Sequence, residues 1–265
     1  MSEFLKSKNS ETTSRAIPHH EETNEISHMH HETGRDSTDT TKLKRLFFDN
    51  LVSVGHEFRY GKSMNHLDDY EWLENLYLKV LSNPTTFKLI ESVRSWDLYT
   101  YQHSFDVFVL SSLLAKRIGI DHIKDFSTGC LLHDVGKLQI PRDVLKKPAR
   151  LTFDEYELIK MHTIYGYTTL FCNDYAENIA NLAKYHHERT DGSGYPCGLL
   201  GYEMSAQIKL LGMVDVYCAL TLDRPYRKAF SLTGAVNILR EESIPTEDPL
   251  FIEFINMLDL PNGNE

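Results

Sequence analysis

Asp215 stands inside an apolar stripe. The stretch from Ser205 to Leu222 reads as one helix, and Ile208, Leu211, Asp215, Cys218 and Leu222 fall on a single face of it. A carboxylate taken out of water there is costly unless something pairs with it. The chain must therefore fold so that a metal or another cation meets this face.

Other stripes supply candidates for the same place. A helix is expected from Trp96 to Ile118, stopped by Gly119, with His103, Val107, Leu110, Leu114 and Ile118 in line. A second runs from Ile123 to the His133-Asp134 pair, close to Gly136. Thr152-Phe-Asp-Glu155 is a capping-box pattern, so a helix should start at Phe153 and carry His162 within it, with Leu158, Met161 and Tyr165 about one face. Asn178 to Glu188 forms another, with Ile179, Leu182, Ala183 and His186 in line. His187 lies about 100° round from His186 and reaches the helix end from another side.

Five helices thus offer inward groups: His103; His133 and Asp134; His162; His186 and His187; Asp215. Each histidine alone reads equally as a satisfied core residue. Together they form the imidazole and carboxylate set that suits a divalent metal. Two metals about 3.5–4 Å apart, bridged by a carboxylate, would use such a set.

After His187 comes Asp191-Gly-Ser-Gly-Tyr-Pro-Cys-Gly198, whose glycines and proline exclude regular structure. It reads as a ligand-contact loop with an exposed Tyr195, or as a tight turn with the tyrosine packed on a neighbour. Arg224-Pro-Tyr-Arg227 reads as a phosphate clamp or as solvated charge.

The rest of the chain narrows the function classes. Its 265 residues, 41% hydrophobic and 25% charged, suffice for one or two globular domains. A net charge of -10 argues against attraction to a DNA or RNA polymer or to an anionic membrane. No apolar run approaches the roughly 20 residues of a membrane span. The four cysteines are widely spaced and fit a reduced cytoplasm. Residues 1–40 read as a disordered polar tail, whose His19, His20, His28, His30 and His31 either scavenge metal or are merely solvated. Residues 41–75 read as a helical lead-in, regulatory or dimerising, with Leu46, Phe47 and Leu51 on one stripe. Trp72, Leu76 and Val80 form the next stripe, with Leu73 and Tyr77 beside it, and Asn83-Pro84 punctuates its end. A last helix pair, Leu232 to Arg240 and Pro249 to Leu258, covers the bundle's end.

Several of these stretches, taken in order, resemble one family. They are His133-Asp-Val-Gly-Lys137, the capping box leading to His162, His186-His-Glu-Arg-Thr-Asp-Gly-Ser-Gly-Tyr-Pro196, and Val214 to Arg227. They are similar to the HD-GYP domain, a branch of the HD metal-dependent phosphohydrolases, over residues 76–265. The resemblance implies an all-α helical bundle with a dinuclear metal site, manganese or iron. It implies a phosphodiesterase that opens cyclic di-GMP to pGpG, with a second cut to GMP left open. Asp134 would bridge the ions; His103, His133 and Asp215 would complete one, and His162, His186 and His187 the other. Lys137, Arg224 and Arg227 match positions that contact substrate phosphates. Gly194 and Tyr195 match the loop whose tyrosine can stack on a guanine. Tyr99 stands where some members carry a glutamate that holds a third metal, so two ions are expected. Lys209 stands where members often carry arginine. The alternatives are another cyclic dinucleotide, such as cyclic GMP-AMP, and a non-catalytic cyclic di-GMP receptor. A homodimer and a regulatory protein partner are both open.

Overall fold

The structure, a computed structural model, describes residues 33–258 apart from 55–59, 61–63, 65–66, 224–227, 243–244 and 246. Among the described residues it is all-α, with one isolated bridge between Asp191 and Leu200. The histidines of the N-terminal segment, and both Arg224 and Arg227, lie outside the described residues. Among the described residues no helix is long and apolar enough to cross a membrane.

The helix α4 (Leu98–Ile118) is the axis of the bundle. Asp97 caps its start by accepting from the Thr100 amide at 2.9 Å. Gly119, at a φ of 74°, closes its end. Every residue from His103 to Ala115 is buried, so this helix is covered on all sides. Packed against it are α1 (Thr33–Val54), α2 (Leu67–Leu81), α3 (Pro84–Trp96), α5 (Ile123–Leu132), α10 (Ala206–Thr221) and α12 (Pro249–Leu258).

The sequence reading has no helix between Asn83 and Trp96. The Asn83-Pro84 pair that ends α2 also starts α3: Asn83 accepts from the Thr85 and Thr86 amides, and Pro84 takes the first helical position. The segment expected as a separate lead-in is also different. A boundary at 75/76 falls inside α2, and Phe47 of α1 is fully buried against Tyr70, Tyr77 and Phe105, with ring centroids 5.3–5.7 Å apart. Asn50 donates to the Tyr101 hydroxyl of α4 at 2.7 Å. The helix α1 begins at Thr33, within the stretch read as tail.

Beyond α5 the chain makes a 3-10 helix (Val135–Gln139) and a short turn of helix α6 (Arg142–Leu145). The capping box then forms as expected at the start of α7 (Phe153–Lys160). His162 is not inside that helix. A break at Met161 separates α7 from α8 (His162–Phe171), and Met161 is turned outward while His162 is buried. The helices α9 (Glu177–Tyr185) and α11 (Leu232–Glu242) complete the set.

Candidate metal centre

The ligand-bearing elements approach closely because two glycines allow it. A Cβ at Gly136 would overlap the carbonyl oxygen of His162 and the amide of Gly166, so the turn after Asp134 lies backbone to backbone on α8. A Cβ at Gly212 of α10 would stand 3.0 Å from the His186 carbonyl oxygen.

Three histidines follow directly on helix ends, or just past them, and share one local device. The last carbonyls of a helix have no partner within it. His133 Nδ1 donates to the Cys130 carbonyl at 2.8 Å, His162 Nδ1 to Ile159 at 2.6 Å, and His186 Nδ1 to Ala183 at 2.9 Å. In each case the acceptor lies three residues back, in the last turn of α5, α7 or α9. A carbonyl can only accept, so Nδ1 carries the proton and Nε2 is turned toward the bundle interior.

There the Nε2 atoms meet the two aspartates. Asp134 Oδ2 lies 3.4 Å from His133 Nε2 and 3.9 Å from His103 Nε2. Its other oxygen, Oδ1, lies 3.4 Å from His162 Nε2 and 3.8 Å from His186 Nε2. Asp215 Oδ1 is 2.8 Å from His103 Nε2 and 3.6 Å from His133 Nε2, while its Oδ2 is 3.7 Å from His187 Nδ1. Ligand atoms within 4.8 Å of one another form three overlapping groups among the described residues. These are His103, His133 and Asp215; His162, His186 and His187; and His133, Asp134 and His186.

Burial disfavours charged imidazoles, and it holds His162 down to about 4 and His186 and His187 well below the ordinary histidine value. At His133 burial acts in the same direction, but Asp134 and Asp215 outweigh it and carry the group up to about 10. Burial would also raise Asp134. Lys137 and His133 outweigh it and keep this carboxyl well below the usual range. His103 and His133 do the same for Asp215. A proton on His133 Nε2 thus sits where a divalent ion would replace it.

The donor set fits divalent metals. His133 Nε2 and Asp134 Oδ1 are buried without a hydrogen-bond partner. The Nε2 atoms of His162 and His186 are 3.2 Å apart, both with the proton on the other nitrogen. Such convergent acceptors are satisfied by a cation between them.

Around this cluster the remaining sequence candidates separate. Lys137 Nζ donates to Asp134 Oδ2 at 2.6 Å. Tyr195 is partly buried rather than exposed: its ring lies against His187 at 4.8 Å between centroids, and Lys160 Nζ stands 5.7 Å from it. Gly194 carries no side chain toward the cluster; a Cβ there would overlap the backbone of Glu188 and Arg189. Tyr99 stacks parallel to His103, with centroids 6.2 Å apart. Glu188 escaped the sequence reading. It is buried and accepts from two amides of the Gly-Tyr-Pro loop. Its only sequence signal is an acidic residue directly after the histidine pair.

Residues 88–248 match the family described as HD domain. The cyclic di-GMP phosphodiesterase PA4108 of Pseudomonas aeruginosa is 29% identical over 79% of this chain and 51% of its own length. The 3'3'-cGAMP-specific phosphodiesterase 1 of Vibrio cholerae is 40% identical over 54% of this chain and 34% of its own. The chain therefore spans about half or less of these curated relatives. Among solved structures, Bd1817, an HDG"Y"P protein from Bdellovibrio bacteriovorus, has the same fold. It gives a TM-score of 0.52 at 18% identity, over 86% of this chain and 73% of that one.

Proposed function

The chain belongs to the HD domain family, and we propose on that footing that it is a metal-dependent phosphodiesterase opening cyclic di-GMP to linear pGpG. One observation carries this reading: Asp134 turns one oxygen to His103 and His133 and the other to His162 and His186. A carboxylate so placed could serve two ions. His103, His133 and Asp215 would hold one ion, and His162, His186 and His187 the other. Manganese or iron suits the mixed nitrogen and oxygen donors. Bound divalent ions supply Lewis acidity and a water of lowered pKa at neutral pH.

The protein's own groups do the rest. Burial keeps His162, His186 and His187 neutral, so their lone pairs are available. Lys137 keeps its positive charge although burial opposes it, because Asp134 stands beside it. That fixed charge lies where negative charge grows on the phosphoryl oxygens, and Arg224 and Arg227 are proposed to join it. Tyr195, beside His187, offers a ring edge or face to a purine. A cytoplasmic location is part of this proposal, since there the four thiols would stay reduced.

A second reading is favoured by the 40% identity to the cyclic GMP-AMP enzyme: the substrate is that mixed dinucleotide. The test is hydrolysis of each cyclic dinucleotide by protein loaded with Mn²⁺ or Fe²⁺ under low oxygen, followed by product chromatography. Asp134→Ala is the control. Appearance of pGpG with the wild type and its loss in the variant supports the first reading; turnover of cyclic GMP-AMP alone supports the second. No turnover of either by metal-loaded protein overturns both.

A further inference from the structure

Glu188 is buried, 2% exposed, yet both its oxygens are used by one short stretch of loop. Oε1 accepts from the Cys197 amide at 2.7 Å and Oε2 from the Leu199 amide at 2.9 Å. Between its two ends the loop closes on itself: Asp191 and Leu200 form a bridge, and Gly201 N donates to the Thr190 carbonyl at 2.9 Å. Glu188 therefore fills the inside of a ring of backbone.

The other side of the ring is tied to the same residue. The Gly194 backbone lies so close that a Cβ would overlap Glu188 Cα and the Arg189 amide. Next to it, Tyr195 N donates to the His187 carbonyl at 3.2 Å. The Tyr195 ring is thereby set against the imidazole of His187, one of the metal-ligand candidates. Glu188 follows His187 directly in the chain. One short segment thus carries a histidine of the metal cluster and the group that fixes the loop over it.

We infer that Glu188 is a positioning residue for substrate binding: it holds the 191–200 loop so that the Tyr195 ring stands beside the metal cluster to receive a base. This rests on the phosphodiesterase reading for the identity of the substrate. Its structural half does not. Two charge-assisted hydrogen bonds converge on this one carboxylate, three residues past the end of α9, and such bonds are stronger than neutral ones. A glutamine keeps the shape but offers one acceptor and one donor. One of the two loop amides would then face an N–H, and the loop would lose its register.

The experiment compares wild type, Glu188→Gln and Tyr195→Ala, with the double variant, all as the full chain. Hydrogen exchange at the Cys197 and Leu199 amides reads the loop without turnover. Exchange at both should be at least about tenfold faster in Glu188→Gln, the loss expected when a net bond of about 1.5 kcal/mol or more is removed. Metal content should be unchanged. With cyclic di-GMP, or cyclic GMP-AMP if only that is turned over, KM should rise about tenfold while kcat changes less. On the Tyr195→Ala background the same substitution should add little further loss. Unchanged exchange in Glu188→Gln, or full additivity of the two losses, overturns the inference. If Glu188→Gln does not fold, Glu188→Asp replaces it, with a smaller effect of the same sign expected. Failure of the wild type to turn over any cyclic dinucleotide would count against the proposed activity, while the exchange result would still decide whether Glu188 holds the loop.

Discussion

The Nε2 atoms of His162 and His186 face each other at 3.2 Å, and each ring has committed its Nδ1 proton to a backbone carbonyl. Two lone pairs so placed repel unless a cation lies with them. Divalent metal should therefore stabilise the fold by mass action, by about 2.7 kcal/mol per site at a hundredfold excess over Kd. For a chain of this size that is a rise in Tm of roughly 5–10 °C on adding Mn²⁺ to chelator-treated protein. His186→Ala should shrink the rise, and calorimetry with and without metal checks both.

Lys137 bonds Asp134 at 2.6 Å but is three residues away from it in sequence and on a different element from the histidines. Lys137→Met should leave metal content near normal while kcat/KM falls about 10²–10³-fold, the scale of losing one preorganised stabilising group. Metal analysis beside steady-state kinetics separates this from a ligand defect such as Asp134→Ala.

Gly136 lets the turn after Asp134 lie directly on the His162 backbone. Gly136→Ala should destabilise by about 1–3 kcal/mol through overpacking, and it should also weaken metal binding by parting Asp134 from His162. Urea unfolding with metal titration reads both effects.

Phe47 is fully buried against Tyr70, Tyr77 and Phe105 although it lies in the first described helix. Phe47→Ala should cost about 3–5 kcal/mol, with a single unfolding transition. A separate early transition would instead show that α1 folds as its own unit.

The pH dependence of the metal-free protein has two limbs. His162 is held at about 4, below the unfolded value of about 6.5. Its contribution is present above the unfolded value and is lost as pH falls toward 4, because the unfolded chain takes up the proton first. His133 is raised to about 10, so its contribution is complete below about 6.5 and is lost as pH rises toward 10. The urea midpoint should peak near neutrality, between these limbs. His162→Gln should flatten the acid limb.

The sequence exposed the residues that break a local rule. Asp215 in an apolar stripe, the capping box at Thr152 and the stop at Gly119 each have a physical signature within a few positions, and the structure has them there. The helix α3 was missed although Asn83 and Pro84 are strong start signals, because the same pair also reads as an end. The break at Met161 has no such mark: neither glycine nor proline stands there, and only the packing of α8 on the turn after Asp134 turns His162 inward. The burial of Phe47 depends on helices far along the chain. Glu188 was hidden for a related reason, because its partners are backbone amides, which leave no trace in residue type.

The shared Nδ1 bonds of His133, His162 and His186 have a mechanical meaning. Each ring is anchored at Nδ1 by the helix end it follows, while its Nε2 faces groups from other helices. A ligand is therefore carried like a tool fixed to its own handle: its mount belongs to one segment, and the spacing belongs to the assembly. Sliding one helix would change the spacing of the candidate ligands without detaching any of these rings from its mount. The helix that carries His103, α4, is itself tied to α1 by the bond from Asn50 to the Tyr101 hydroxyl.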